Sequence, residues 1–581
     1  MLFDSTMLAR AAGDAERGLV GVRVRDVIEA RHDEVCLRFA RGGDLPCLLL
    51  SSSPEEGRVE MAAACPTPPP APFPFCMALR KHLRGAILDT VEHVRYDRLL
   101  RLTFSGCEGF GPESRRDLIA EIMGKHANLI LVDESDVIVA CAKHVTERVN
   151  RYRQTREGET YILPPGGERL DPRAVTGAQL CGRADEWPHA GLAELLTRCC
   201  MGAGPVMAAE VQARADLGDR PVRALSAAEH EQAAAALRAL CAEAHAPGPA
   251  YVYETLLPGR RSPTLLAYPV RLASLGEPEA QFEHLGAALE HVVERTRERR
   301  VEQELRARLQ GAVAAAVQSV RERQTQHRRS LAKAEATAEL ARKAELIMSQ
   351  LHAIAPDADE ARLVDWHDPA QPEVTIALDP ALGPQRTAER HFAAHKRGQR
   401  VLVRVPALLA EAEAEERYLE SVGTEIELAE GLDELTAVEH ELLTQGTLKA
   451  RRRQAAPRTR RDVPVLPSFE TADGYSVLYG RNHAQNEQLL REAAPDDLWL
   501  HVRDGPGGHV LIRTGGDPEA VPPRTLLQAA QRAVALSRQR NEAVVEVDYT
   551  AAKHVRRPRD ARPGMVLYTH QKTLAVRRAD G

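Results

Sequence analysis

Aromatic side chains are scarce in this chain: 3 Trp, 11 Tyr and 9 Phe make up 4% of 581 residues. A sheet that reads single-stranded RNA by stacking bases on rows of rings is therefore not expected. Cysteine stops early. All 10 cysteines lie between Cys36 and Cys241; none forms a Cys-x-x-Cys pair, and the adjacent Cys199-Cys200 spacing is poor for tetrahedral zinc. Scattered cysteines without a framework suit a reducing compartment, so the expected location is cytoplasmic. No run approaches the roughly 18 uninterrupted apolar residues of a membrane span. Met1-Leu-Phe-Asp-Ser5 has no basic region leading into an apolar core, so no secretory signal is expected either. Walker, Gly-x-Ser-x-Gly and His-Glu-x-x-His strings are also absent, which argues against an enzyme active site, a cofactor or a metal.

What the chain does have is length, helix-forming text and unevenly placed charge. At roughly 150 residues per domain, 581 residues suggest about four units. Against a formal net charge of -6, Lys449, Arg451, Arg452, Arg453, Arg458, Arg460 and Arg461 form a run without an acid. Lys553, Arg556, Arg557, Arg559, Arg562, Lys572, Arg577 and Arg578 form a second, opposed only by Asp560. Such patches on an acidic chain suit a polyanion met by particular faces, or equally a solvated linker and tail.

Pattern divides the text into four regions. Residues 1–175 read as an α+β domain, with strands at 19–24, 34–39, 47–51, 99–104 and 129–132 and a helix at 75–83 after a break with 6 prolines in 66–74. Residues 176–275 read as helical. There Met201-Gly-Ala-Gly-Pro-Val-Met-Ala208 suits either a helix-hairpin-helix turn, whose second helix aims amides at a phosphate, or a plain hairpin. Across 279–355 there is no proline, and Leu305, Leu309, Val313, Val317 and Val320 recur at helical steps. A return run at 407–456 carries Leu408, Leu419, Val422, Ile426 and Leu428, with an extended turning point at 363–378. Together, 279–456 predict a long antiparallel coiled coil, its return helix kinked or shortened by the strand-like 401–405 and Pro406. Residues 463–581 read as a compact α/β domain, with strands at 475–479, 498–502, 544–549 and 565–568 and a helix within 520–540. The expected fold class is multidomain α+β.

Several strings carry a resemblance. Phe75-Cys-Met-Ala-Leu-Arg-Lys-His-Leu83, Asp97-Arg98 and the stretch from Leu118 through Gly124-Lys-His126 to Asp133 resemble the N-terminal domain of the NFACT family. Asp496-Asp-Leu-Trp-Leu-His-Val502, Asp504-Gly-Pro-Gly-Gly-His-Val510 and Arg562-Pro-Gly-Met-Val-Leu-Tyr-Thr-His-Gln-Lys-Thr573 resemble its RNA-binding domain, NFACT-R. The order is that of the bacterial RqcH type: a glycosylase-like NFACT-N domain, a helix-hairpin-helix domain, a coiled-coil arm and NFACT-R. The resemblance implies ribosome-associated quality control: binding a large ribosomal subunit obstructed by peptidyl-tRNA and its nascent chain, and recruiting alanyl-tRNA for C-terminal alanine tailing. Alanine tailing would borrow the ribosome's own catalytic centre, so the chain needs none.

The same resemblance makes Asp97 and Arg98 the tRNA-recognition pair, with Asp4, Glu121 and Ile122 as further tRNA contacts. Read from chemistry alone, a carboxylate accepts from base amino groups and a guanidinium forks onto guanine or phosphate, though a strand-end ion pair explains the same residues. Arg80, Lys81 and Arg84 can share one helix face and hold a phosphate, or simply be solvated. In the last domain Asp497, Trp499, His501 and Arg503 alternate with aliphatic residues, which predicts an exposed Trp, His and Arg surface for RNA, joined by His509. Two other readings compete. A DNA glycosylase-like enzyme would need an N-terminal proline nucleophile, and here Leu2 follows Met1. A fibronectin-binding surface adhesin, which an older family name suggests, is opposed by the missing signal and the cysteine pattern.

Overall fold

In the computed structural model, described over residues 2–40, 46–106, 114–148, 153–257, 262–448, 466–559 and 562–577, the chain divides into two compact units, Met1–Arg299 and Arg300–Gly581. The first opens with α1 (Ser5–Leu19), whose Asp4 side chain accepts hydrogen bonds from the Thr6 and Met7 amides at 2.9 and 3.0 Å. A strand beginning at residue 19 is thus corrected. Met7, Leu8, Ala11, Ala12, Ala15 and Leu19 make a buried helical stripe, and the chain turns at Gly21 (φ +80°) before entering a sheet.

That sheet contains β1 (Arg23–Arg31), β2 (Glu34–Ala40), β3 (Cys47–Ser51), β4 (Arg58–Ala62), β5 (Ile87–His93), β6 (Leu99–Ser105), β7 (Arg115–Glu121), β8 (Asn128–Asp133) and β9 (Ile138–Cys141). Its order is β4-β3-β2-β1-β5-β6-β7-β8-β9, antiparallel throughout. Helix α2 (Pro74–Leu83) follows the proline-rich segment. Then come α3 (Gly177–Ala184), α4 (Leu192–Cys199), α5 (Pro205–Ala215), α6 (Ala227–His245) and a small sheet of β10 (Ala250–Thr255), β11 (Thr264–Tyr268) and β12 (Ala280–Phe282). Strand alternation sends Val35, Leu37, Phe39, Leu48 and Leu50 into a core shared with these helices. It leaves Cys36, Arg38 and Cys47 on the opposite face.

Helix α7 (Leu285–Glu335) carries the boundary between the units. The second unit continues with α8 (Ala338–Ser349), a hairpin of β13 (Glu360–Val364) and β14 (Glu373–Ala377), α9 (Gly383–Leu428) and α10 (Gly431–Thr444). Leu309, Val313 and Val320 of α7 share a buried cluster with Ala412, Leu419, Val422 and Ile426 of α9. Pairing of Arg321 with Glu420 (3.1 Å) and of Arg328 with Glu413 (3.0 Å) shows the helices run antiparallel. The predicted strand-like break at 401–405 is corrected: α9 runs as one helix of 46 residues with Pro406 inside it. Helical context on both sides overrides the β-branched preference of Val401, Val403 and Val405.

The remaining sheet contains β15 (Ser468–Glu470), β16 (Ser476–Tyr479), β17 (Leu498–Val502), β18 (Val510–Ile512) and β19 (Val544–Ala551), ordered β15-β16-β18-β17-β19-β22, with β22 (Lys572–Arg577) at the edge. Helices α11 (His483–Glu492) and α12 (Pro523–Ala535) accompany it, as does a short pair, β20 (Val555–Arg556) and β21 (Leu567–Tyr568). The basic run from Lys449 to Arg461, with Asp560 and Arg578, lies outside the described residues. Among the described residues no helix is long and apolar enough to cross a membrane.

Candidate RNA interface

The Asp97-Arg98 pair sits on a corner held from below. Arg95 and Tyr96 both adopt left-handed backbone (φ +53° and +54°), a conformation costing about 1–2 kcal/mol per residue. Packing enforces it. Tyr96 is buried, and its carbonyl lies 2.0 Å from where a Cβ on Gly202 would stand, so the α4–α5 turn admits only glycine there. That turn packs its Gly202 against the Tyr96 carbonyl and the Ser5 side chain. His93 fixes the other side. Its Nε2 lies 2.6 Å from the Asp97 carbonyl, which can only accept, and burial lowers its pKa to about 4, so the ring is neutral with the proton on Nε2. The Asp97 Oδ1 accepts from the Arg98 amide at 2.7 Å, and the Arg98 carbonyl accepts from the Ile122 amide at 2.9 Å. Asp97 Oδ2 and the Arg98 guanidinium have no hydrogen-bond or ion-pair partner among the described residues, and both side chains are half-exposed. A free acceptor thus stands beside a free fork of donors.

Next to this corner lies a cleft of about 310 Å³ lined by Glu121, Met123, Lys125, His126, Lys143 and Arg153, among others. Met123 and Pro164 line both it and the hollow that contains Asp97. Lys143 is tied to the Ser52 and Ala127 carbonyls at 2.6 and 3.1 Å, while Lys125 and His126 are exposed. These cations were not singled out from sequence, although Gly124-Lys-His126 was within the string that carried the resemblance.

The other N-terminal candidates differ in how far they reach solvent. Asp4 is 6% exposed and serves as the α1 cap, with Tyr268 Oη donating to its carboxylate at 3.2 Å; burial raises its pKa despite these donors. Glu121 is buried under Tyr161 Oη (2.8 Å) and both terminal nitrogens of Arg153, and Ile122 is buried beside it. Arg80 is half-buried, its Nε donating to the Val27 carbonyl at 2.7 Å, whereas Lys81 is exposed.

In the second unit the predicted Trp499 surface is corrected too. Trp499 is 0% and His509 2% exposed, because α11 and the β20–β21 region cover the face that alternation assigned to solvent. His501 lies nearly parallel to Trp499 with ring centroids 5.7 Å apart, and His509 stands edge-on to both. Burial lowers the pKa of both histidines, keeping them neutral. Arg503 is exposed but paired with Glu546 at 3.0 Å. The open cations are elsewhere: Arg556, Arg559, Lys572 and Arg577 are exposed and make no ion pair among the described residues; Arg556 and Lys572 each stand two residues along the chain from His554 and His570, whose tilted rings are 4.3 Å apart.

A family described as NFACT N-terminal and middle domains matches residues 4–461, most of the chain. The chain belongs to the NFACT family. Residues 466–569 of this NFACT protein match the NFACT protein RNA binding domain. It is 30% identical over 586 aligned residues to the Rqc2 homolog RqcH of Streptococcus pneumoniae, covering 99% of this chain and 98% of that one. The Rqc2 homolog RqcH of Bacillus subtilis is 27% identical, again over 99% and 98% of the two chains. Among solved structures, the N-terminal part of the fibronectin/fibrinogen-binding protein from Streptococcus suis covers 50% of this chain and 99% of its own, at 27% identity and a TM-score of 0.42. The family match, like the sequence, spans both ends of this NFACT chain and the arm between them.

Proposed function

We propose that this NFACT protein is a cytoplasmic ribosome-quality-control factor that binds large ribosomal subunits obstructed by peptidyl-tRNA and recruits alanyl-tRNA to extend the nascent chain with alanine. The observation that carries this reading is the end-to-end match, over 99% of the chain, to proteins named Rqc2 homolog RqcH. The Asp97-Arg98 corner supports it at the level of chemistry. Its free carboxylate oxygen accepts from base amino groups, and its guanidinium forks onto a guanine edge or a phosphate. The cation-lined cleft beside it offers charge to the neighbouring backbone. Peptide transfer then takes place in the ribosome's own centre on an already charged tRNA, so the protein positions and does not catalyse.

The test is to purify the protein from its own cells at low salt and sequence the RNA crosslinked to it. Transfer RNA and large-subunit rRNA are expected together. Asp97→Ala with Arg98→Ala should lower tRNA recovery at least about ten-fold, the loss of one bidentate contact and its neighbour, while large-subunit co-sedimentation persists. Full tRNA recovery in the double variant would overturn the site, and a protein free of ribosomal RNA would overturn the function.

A further inference from the structure

Three cysteines far apart in sequence meet on the outer face of the first sheet. Cys36 on β2 and Cys47 on β3 lie diagonally across the strand pair, since Cys47 stands opposite Arg38, two residues beyond Cys36. Cys65, three residues after β4 and at the head of the proline-rich segment, folds back onto them. All three sulfurs lie within 4.8 Å of one another, enclosed by Ile28 and Ala62. Cys36 and Cys47 are buried, whereas Cys65 is partly open to solvent. The Cys47 and Cys65 sulfurs are 2.7 Å apart.

We propose that Cys65 and Cys47 are a peroxide-reactive dithiol, oxidised by hydrogen peroxide or an organic hydroperoxide to a disulfide that staples the proline-rich segment to β3. The division of labour follows from the surroundings. The Cys36 thiol and the Arg38 guanidinium hold the Cys65 sulfur as thiolate, bringing its pKa down to about 6, whereas burial pushes the Cys47 thiol up to about 11. Among the described residues, Arg38 is the charged group that faces Cys65. Cys65 is therefore the nucleophile and Cys47 the resolving thiol. In the first step the Cys65 thiolate attacks one peroxide oxygen, the O–O bond breaks, and Cys65 sulfenic acid forms with release of hydroxide, or of alkoxide from an organic hydroperoxide. In the second the Cys47 sulfur attacks the sulfenic sulfur, and the departing hydroxide leaves with the Cys47 proton as water. Two thiols lose two electrons and the peroxide gains them. A soft metal ion held by the same three sulfurs fits the geometry less well. Thiolates on one tetrahedral zinc with 2.3 Å bonds stand roughly 3.7 Å apart, and the Arg38 guanidinium faces the cluster.

The experiment treats the full-length protein with a small excess of hydrogen peroxide, blocks remaining thiols with an alkylating agent, and maps the products by non-reducing tandem mass spectrometry. A Cys47–Cys65 linked peptide pair that disappears on reduction is expected, and Cys47→Ser should instead leave Cys65 trapped as sulfenic acid by dimedone. Without peroxide, the Cys65 alkylation rate should change less than about two-fold between pH 7 and 8.5, where an ordinary cysteine peptide gains on the order of ten-fold. Arg38→Ala should shift that profile to higher pH and Arg38→Lys should restore it, which a purely structural role for Arg38 would not do. Cys65 left as free thiol by peroxide would overturn the proposal. So would protein isolated with a stoichiometric zinc or copper ion that shields all three thiols until it is chelated.

Discussion

Asp4 shows how one residue's position decides between two roles. Its carboxylate accepts two amide protons at the start of α1 and the hydroxyl proton of fully buried Tyr268. None of these needs a negative charge, and burial makes the charge unfavourable. The sign follows directly. A carboxyl whose folded pKa is raised above 3.8 contributes stability below its unfolded pKa and loses it as pH rises through the folded value. Asp4→Asn keeps the cap and the Tyr268 partner without the charge, so its urea midpoint at pH 7 should equal or exceed the parent's. Asp4→Ala removes the cap, worth about 1 kcal/mol, and strands a buried hydroxyl at about 1 kcal/mol or more. A loss of about 2 kcal/mol is expected. Equal losses in both variants would show that the charge itself is used.

At the scale of elements, the second unit holds a proton-dependent joint. His483, the first residue of α11, places Nδ1 2.8 Å from Glu441 of α10 and Nε2 3.1 Å from Glu425 of α9, with Tyr418 Oη donating to Glu441 at 2.8 Å. The two carboxylates raise the His483 pKa above 6.5 despite its burial, and burial pushes Glu425 up to about 8. Both shifts mean that the folded unit keeps a proton the unfolded chain would release. Stability is therefore lost as pH rises from about 4.5 through 8 on account of Glu425, and above 6.5 on account of His483. Unfolding of the full chain followed across that window should show the decline, and Glu425→Gln, which removes the raised carboxyl and the charge that raises His483, should flatten it; an unchanged slope would place its origin elsewhere. The same scale shows what sequence pattern could and could not deliver. Short apolar runs bounded by turn residues, such as 47–51, were legible as strands, and the 3.6-residue stripe of Leu309, Val313 and Val320 was legible because burial on one side imprints its period. Trp499 was misread because α11 and β20–β21 cover the second face of β17, and local alternation cannot report a lid built from residues 489 and 555. Asp97 and Arg98 were singled out through their motif. The glycine at 202 that holds their corner, and the meeting of Cys36, Cys47 and Cys65, depend on chain packing from elsewhere in the sequence.

For the whole molecule the question is how a chain of net charge -6 engages a polyanion. The acids answer it by where they are spent. Glu413, Glu415, Glu416 and Glu420 are matched to arginines along the arm, so their charge is locally compensated, and such exposed pairs add little stability, about 0–1 kcal/mol each. Arg556, Arg559, Lys572 and Arg577 stay unmatched among the described residues, leaving the RNA-binding domain exposed positive charges that net charge conceals. Each phosphate these cations neutralise releases condensed counterions, so the logarithm of rRNA affinity should fall linearly with the logarithm of salt, by about 0.9 per duplex contact. Replacing all four by alanine should make that slope shallower by roughly 3.6 while leaving the unfolding free energy within about 0.5 kcal/mol of the parent, as for other exposed sites. Filter binding to large-subunit rRNA from low to moderate salt measures it. A slope that survives the four substitutions would move the phosphate contacts off these side chains and onto cations elsewhere in the chain.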